Sequence, residues 1–373
     1  MEAGASRDER FMRVALRLAR TAEGRTAPNP MVGAVLVKAG RIIGQGFHRR
    51  AGCPHAEIEA LSKAGRRARG ATLYVTLEPC NHYGRTGPCS DAIIRAGIAQ
   101  VVIAARDPNP MTNGRGLAKL RRTGIRVTSG VLEEEAQRLN EPFRKAMVAR
   151  LPWVIAKVGQ SLDGKIATVT GQSRWITSKA ARQLGHQWRR RVDAIMVGIR
   201  TILQDDPRLT ARSGPPRPGR PVKVVVDSRL RMPLRARCLS ARPRAPTIIA
   251  TTMRRSARQA LLERRGADVL VFPSQKGRVP LRRLFHTLAR RGMQSVLIEG
   301  GGEVLASAFA ERLVDRIVWF IAPALIGGRS SPGSIGGEGV GRLAQAIRLA
   351  DMTVRRVGPD LCVEARVVYP GAR

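Results

Sequence analysis

Aromatic side chains are scarce in this chain: Phe, Trp and Tyr make up 4% of its 373 residues. Surfaces that stack on unpaired bases need more of them, so an aromatic single-strand binder is disfavoured. No apolar run reaches 18 residues, which excludes a helical membrane span. The first twenty residues lack the continuous apolar stretch of a secretory signal, and Glu2, Asp8 and Glu9 argue against a transit peptide. Cysteines number five, odd and unevenly spaced, so a reducing compartment is expected, the cytoplasm, with metal or catalytic use in place of a disulfide framework. Carboxylates are also few: 28 against 66 basic residues leave a formal charge of +38. Nucleic acid is therefore the first partner to weigh, through counterion release. Against that, lysine is scarce too, nine residues beside 57 arginines, a skew that can be compositional. The excess is spread along the chain, with 26 basic and 13 acidic side chains in residues 1–150.

What remains is ordinary globular material, 43% hydrophobic and 25% charged, long enough for two domains of about 150 residues or more. Ser6 to Glu9 has capping-box spacing, and Met12, Ala15, Leu16 and Ala19 share one face of the helix that follows, which Gly24 can stop. Strands are expected at Met31–Val37, Arg41–Gly46, Thr72–Leu77 and Gln100–Ala105, and helices at His55–Ala64 and Cys89–Ala96. The pattern restarts near Arg144–Pro152, so the boundary is placed between residues 1–148 and 149–373. Further strands are expected at Trp153–Val158, Ala194–Gly198, Val222–Asp227, Thr247–Thr251, Val269–Phe272, Ser295–Glu299 and Arg316–Ile321. The proline-rich stretch Ser213–Pro221 reads as a surface loop. Strands alternating with helices in both halves give an α/β class.

The chemistry-bearing set in the first half is His55-Ala56-Glu57 with Glu78-Pro79-Cys80 and Cys89. One imidazole and two thiolates make three zinc ligands and leave the fourth tetrahedral position open to water, whose pKa the metal lowers. Glu57, two residues after His55, is poorly placed to ligate but well placed to carry a proton. His-x-Glu with Pro-Cys is the signature of zinc nucleobase deaminases, which usually continue as Pro-Cys-x-x-Cys. Here eight residues separate the cysteines. Cys53, two residues before His55, reads as a bystander. A closed structural zinc is the competing reading of the same residues.

Thr26–Val37, Pro54–Glu57 and Glu78–Cys89 together resemble the deaminase half of the bifunctional riboflavin-biosynthesis deaminase/reductase family, in which the insertion matched by Asn81 to Pro88 is a hallmark. The resemblance implies a cytidine-deaminase-like domain, zinc on His55, Cys80 and Cys89, and proton transfer by Glu57. It also implies that Asn29, His82 and Arg85 line the pyrimidine and phosphate pocket. Asp107–Gly116 is similar to a loop of the same family.

In the second half, Lys157–Lys165 and Ser173–Thr177 combine a strand, a glycine turn and an aromatic face at Trp175. Leu297–Glu303 joins a strand to a helix through three glycines, a geometry that can cradle a pyrophosphate, although it is not the spaced GxGxxG fingerprint. With Gly198–Pro207 and Arg316–Gly328, these segments resemble the reductase half of the same family, a dihydrofolate-reductase-like domain, so the likeness covers nearly the whole chain. It implies NADPH at Gly159, Trp175, Thr201, Asp205, Ser228 and Gly301, Gly302, Glu303, Val304 and Leu305. It implies substrate contacts at Ser173, Arg189, Leu209, Arg212 and Glu299, and Lys157 and Asp205 as the groups that assist reduction. Guanidinium groups such as Arg189 and Arg212 suit phosphate.

The expectation is then a two-site enzyme of riboflavin synthesis. Hydrolytic deamination by zinc-activated hydroxide of 2,5-diamino-6-(5-phosphoribosylamino)pyrimidin-4(3H)-one is followed by NADPH-dependent reduction of the ribosyl chain of 5-amino-6-(5-phosphoribosylamino)uracil to ribityl. Its partners are phosphorylated pyrimidines and further copies of itself, as a dimer or tetramer, with no membrane and no specific nucleic acid. The rival is a transfer-RNA-editing deaminase with a basic RNA-binding C-terminal domain. The charge favours it, and the cysteine insertion, the few aromatics and the reductase motifs disfavour it.

Overall fold

The structure is a computed structural model that describes residues 6–83, 87–110, 112–212, 214, 221–239, 247–254 and 256–371. It divides into two units, Met1–Arg150 and Leu151–Arg373.

The first unit runs α1 Arg7–Arg20, β1 Gly33–Lys38, β2 Arg41–Phe47, α2 Ala56–Ala64, β3 Thr72–Leu77, α3 Cys89–Arg95, β4 Gln100–Ala105, α4 Arg115–Arg122, β5 Arg126–Ser129, α5 Glu133–Leu139 and α6 Glu141–Ala149. The Ser6 hydroxyl accepts from the Glu9 amide at 3.2 Å, and Phe11, Met12, Ala15, Leu16 and Ala19 bury one stripe of α1. Its five-stranded sheet has the order β2-β1-β3-β4-β5; β1 pairs antiparallel with β2 and β3, and the rest is parallel. Ala39 and Gly40, with φ of 49° and 76°, make the β1–β2 turn. Apolar residues of α1, α5 and α6 cover one face of the sheet and those of α2, α3 and α4 the other. Gly33 lets β1 approach α1 closely, because a Cβ there would lie 2.0 Å from the Ala15 carbonyl oxygen.

The second unit contains β6 Trp153–Ser161, α7 Lys179–Arg191, β7 Ala194–Gly198, α8 Ile199–Asp205, β8 Val222–Val226, β9 Thr247–Thr251, α9 Ala257–Arg264, β10 Ala267–Val271, α10 Leu281–Arg290, β11 Ser295–Glu299, α11 Gly302–Ala310, β12 Arg316–Ala322, β13 Arg348–Val357 and β14 Asp360–Val368. Its sheet has the order β10-β9-β8-β7-β11-β6-β12-β14-β13, parallel from β10 to β12 and closed by the antiparallel β13–β14 hairpin. β7, β9 and β11 are buried along their whole length, as strands covered on both faces must be.

Several sequence expectations change. The interval expected to hold the restart is helix α6, and β10 begins two residues earlier than the apolar run suggests. The β13–β14 hairpin was not anticipated, because β13 is an exposed outer strand with a register shift near Asp351 and so lacks a burial period. Most of the Ser213–Pro221 loop lies outside the described residues. Among the described residues no helix is long and apolar enough to cross a membrane.

Candidate zinc centre and dinucleotide cleft

Three of the first unit's elements end at one point. His55 is the N-cap of α2, Cys80 follows β3, and Cys89 is the first residue of α3. Their donor atoms lie within 4.8 Å of one another. His55 Nδ1 stands 3.2 Å from the Cys89 sulfur and 3.6 Å from that of Cys80, and the Cys89 amide donates to the Cys80 sulfur at 3.4 Å. Hydrogen bonds from Cys89 and His55 pull the Cys80 thiol down to about 4, whereas its bond to Cys80 and burial push the Cys89 thiol up. Two thiols and an imidazole thus compete for protons that a soft dication would displace, and the donor set fits zinc. Cys53 stays outside the group, as expected for a bystander.

Glu57 lies in the first turn of α2, 3% exposed. Burial raises its carboxyl to about 7 against the opposing pull of His55. A carboxyl that holds and releases a proton near neutrality suits general acid–base work. Asn29 donates from Nδ2 to His48 Nε2 at 3.0 Å, and His48 Nδ1 donates to the Pro54 carbonyl at 3.1 Å. Burial lowers the His48 pKa, which favours the neutral ring with one donor and one acceptor nitrogen. Sequence reasoning missed His48; its one signal was a histidine at the end of β2, seven residues before His55. His82 Nδ1 lies 3.5 Å from the Thr112 hydroxyl, and Arg85 falls outside the described residues.

In the second unit a cleft of about 1290 Å³ opens at the C-terminal ends of the neighbouring strands β8, β7, β11 and β6. Such a row of strand ends is where open α/β sheets bind ligands. All sixteen positions expected at the reductase site line it: Lys157, Gly159, Ser173, Trp175, Arg189, Thr201, Asp205, Leu209, Arg212, Ser228, Glu299, Gly301, Gly302, Glu303, Val304 and Leu305. Gly300 and Gly301, with φ of 69° and 81°, turn the chain from β11 into α11, and a Cβ on Gly302 would meet the Gly336 nitrogen at 3.0 Å. Among the described residues, ten arginines and Lys157 face three carboxylates around the cleft, a balance suited to a polyanion. Trp175 is 68% exposed, with the Arg182 guanidinium 4.3 Å over its ring.

Arg189 and Glu299, expected as separate substrate contacts, hold each other: Arg189 Nε and Nη2 donate to the two carboxylate oxygens at 2.8 and 2.5 Å. Burial would raise the Glu299 carboxyl, but Arg189 and Lys157 outweigh it and bring it down to about 2. Burial in turn lowers Lys157, which stands over Phe320. Asp205 is held elsewhere in the cleft, accepting from the Ser173 hydroxyl at 2.8 Å and pairing with Arg174 at 3.7 Å.

Two family models match in the order of the two units. The cytidine and deoxycytidylate deaminase zinc-binding region covers residues 5–105, and the RibD C-terminal domain covers residues 152–363. The riboflavin biosynthesis protein RibD of Aquifex aeolicus is 45% identical over 356 residues, which span 95% of this chain and 97% of that protein. The Escherichia coli RibD is 40% identical over 95% of this chain and 98% of its own length. Among solved structures, an Acinetobacter baumannii RibD superposes with a TM-score of 0.88 at 37% identity, covering 97% and 99% of the two chains. A deaminase/reductase from Thermotoga maritima superposes with 0.86 at 36% identity and the same coverage. The first unit is thus a cytidine-deaminase-like zinc domain and the second an NADPH-dependent reductase domain of dihydrofolate-reductase-like fold. Alignment with whole relatives, through both the three-ligand centre and the glycine-turned cleft, means that this chain belongs to the RibD family of bifunctional riboflavin-biosynthesis enzymes.

Proposed function

We propose that residues 1–148 deaminate 2,5-diamino-6-(5-phosphoribosylamino)pyrimidin-4(3H)-one and that residues 149–373 reduce the ribosyl chain of 5-amino-6-(5-phosphoribosylamino)uracil to ribityl. The observation that carries the reading is the coexistence, in one chain, of a His55–Cys80–Cys89 centre beside buried Glu57 and an arginine-rich cleft at strand ends. Zinc, when bound, makes water nucleophilic near neutral pH, and NADPH supplies the reducing equivalents. Glu57 would take a proton from the attacking water and pass it to the ring nitrogen, then take the remaining hydroxyl proton and pass it to the amino group, which leaves as ammonia. Asn29, its amide oriented by His48, addresses the pyrimidine edge, and His82 and Arg85 address the phosphoribosyl group.

In the reductase cleft the Arg189–Glu299 pair forms a rigid wall, and Arg212 takes the substrate phosphate. Lys157 protonates the product oxygen or nitrogen as C1′ is reduced, because burial weakens its hold on the proton. Asp205, bound by Ser173 and Arg174, orients the segment that carries Trp175. The transfer-RNA reading is not favoured, because family models and whole-length relatives join a deaminase region to a reductase domain in this order. A homo-oligomer belongs to the proposal: Leu349, Met352 and Val354 stand exposed on outer strand β13. Five free cysteines suit the cytoplasm.

Glu57→Gln tests the two-site reading. The variant is expected to keep its zinc and lose ammonia release, while NADPH oxidation with deaminated substrate continues. Loss of both activities in a folded, zinc-loaded variant contradicts it.

A further inference from the structure

The Glu78 carboxylate is buried, 3% exposed, and sits two residues before Cys80. It ligates nothing. Instead it accepts four main-chain N–H groups from one segment: Asp107 at 3.4 Å, Gly114 at 3.0 Å, Gly116 at 3.1 Å and Leu117 at 3.4 Å. A carboxylate that satisfies four donors fixes the backbone carrying them far more firmly than a surface turn would. The fit is tight from the other side too, since a Cβ on Gly116 would lie 2.2 Å from the Pro79 carbonyl oxygen.

The anchored segment reaches the proposed substrate pocket through one side chain. Thr112 is fully buried, and His82 Nδ1 lies 3.5 Å from its hydroxyl. A threonine hydroxyl has one proton to give and lone pairs to receive. At His82 Nδ1 the hydroxyl can donate or accept, and in either sense the contact orients the imidazole ring. His82 stands on the insertion between the cysteines, and the described residues 81–83 and 87–88 of that segment lie in no helix or strand that would hold a ring in place. Glu78 thus links the strand end that carries Cys80 to the orientation of His82, through a segment otherwise distant in sequence.

We propose that Glu78 and Thr112 are positioning residues for deamination, Glu78 anchoring the Asp107–Leu117 segment and Thr112 orienting His82 toward the substrate. This rests on His82 being a substrate contact.

The test measures zinc content and steady-state ammonia release for Thr112→Val, His82→Ala and the double variant, with NADPH-dependent reduction as an internal control. Thr112→Val is expected to raise KM about fivefold, the value of one neutral hydrogen bond, with kcat, zinc content and reduction unchanged. In the His82→Ala background the same substitution is expected to add nothing, because there is no ring left to orient. An equal KM increase in both backgrounds overturns the proposal, as does a raised KM in His82→Ala with an unchanged KM in Thr112→Val. An unchanged KM in His82→Ala refutes the contact itself and takes the proposal with it. Glu78→Gln is expected to show a KM increase at least as large. Should it fail to fold, Gly116→Ala displaces the same segment from the opposite side, and a normal KM in that zinc-loaded variant overturns the proposal.

Discussion

Glu299→Gln offers a quantitative test of how the reductase cleft is held. In the folded protein Arg189 and Lys157 bring the Glu299 carboxyl from an ordinary 4.5 down to about 2. At ~1.4 kcal/mol for each tenfold change in proton affinity, that drop corresponds to about 3 kcal/mol. Glutamine keeps the shape, withdraws the charge and turns an N–H donor toward the Arg189 guanidinium, which is within the range for breaking a buried pair. For a unit spanning Leu151–Arg373, each kcal/mol moves Tm by roughly 2–4 °C, so a fall of about 6–12 °C is expected in calorimetry at pH 7. The folded pKa lies below the unfolded one, so the contribution is complete above pH 4.5 and drains away as pH falls toward 2. The gap between wild type and variant should therefore narrow through that window. A Tm within about 2 °C of wild type at pH 7, or a gap that persists unchanged at pH 3, refutes this view of the pair.

Two further outcomes follow from the same cleft. Lys157 as proton donor requires the reduction rate to fall on the alkaline side below lysine's ordinary 10.5, since the acid form is lost above a lowered pKa; a Lys157→Met variant should lose about 100-fold or more in kcat, and a flat profile up to pH 10 argues against the role. Gly302→Ala places a Cβ 3.0 Å from the Gly336 nitrogen and 3.3 Å from the Gly333 carbonyl oxygen at the start of α11, so NADPH titration should show about tenfold weaker binding with ammonia release untouched.

The deaminase centre was the most legible part of the chain because its ligands sit at element ends that carry their own signals. A strand of Thr72–Leu77 followed by Pro-Cys, and a helix opening at His55, place the donors before any tertiary contact is known. The reductase site was readable only as a set of positions. Nothing in the residue types reveals that Arg189 is already occupied by Glu299, 110 residues away, or that Asp205 answers to Ser173. His48 escaped, and Glu78 stood in the motif without its anchoring role, for a related reason: each acts through a hydrogen bond to main chain or to another polar side chain, which leaves no periodicity. The β13–β14 hairpin stayed invisible because an outer strand exposed on both faces has no pattern to read. The charge, the sequence's most conspicuous feature, contributed least: ten arginines line one cleft, and the remainder of the +38 is distributed without chemistry attached.

The most direct test of two consecutive activities is a single reaction in which ammonia, NADPH and protein-bound zinc are followed together, starting from the diaminopyrimidine substrate. Zinc near one per chain is expected, with NADPH consumption lagging ammonia release and stopping when a chelator strips the metal, yet proceeding without delay when deaminated substrate is supplied. NADPH consumption that precedes ammonia release, or that requires zinc even with deaminated substrate, contradicts the assignment.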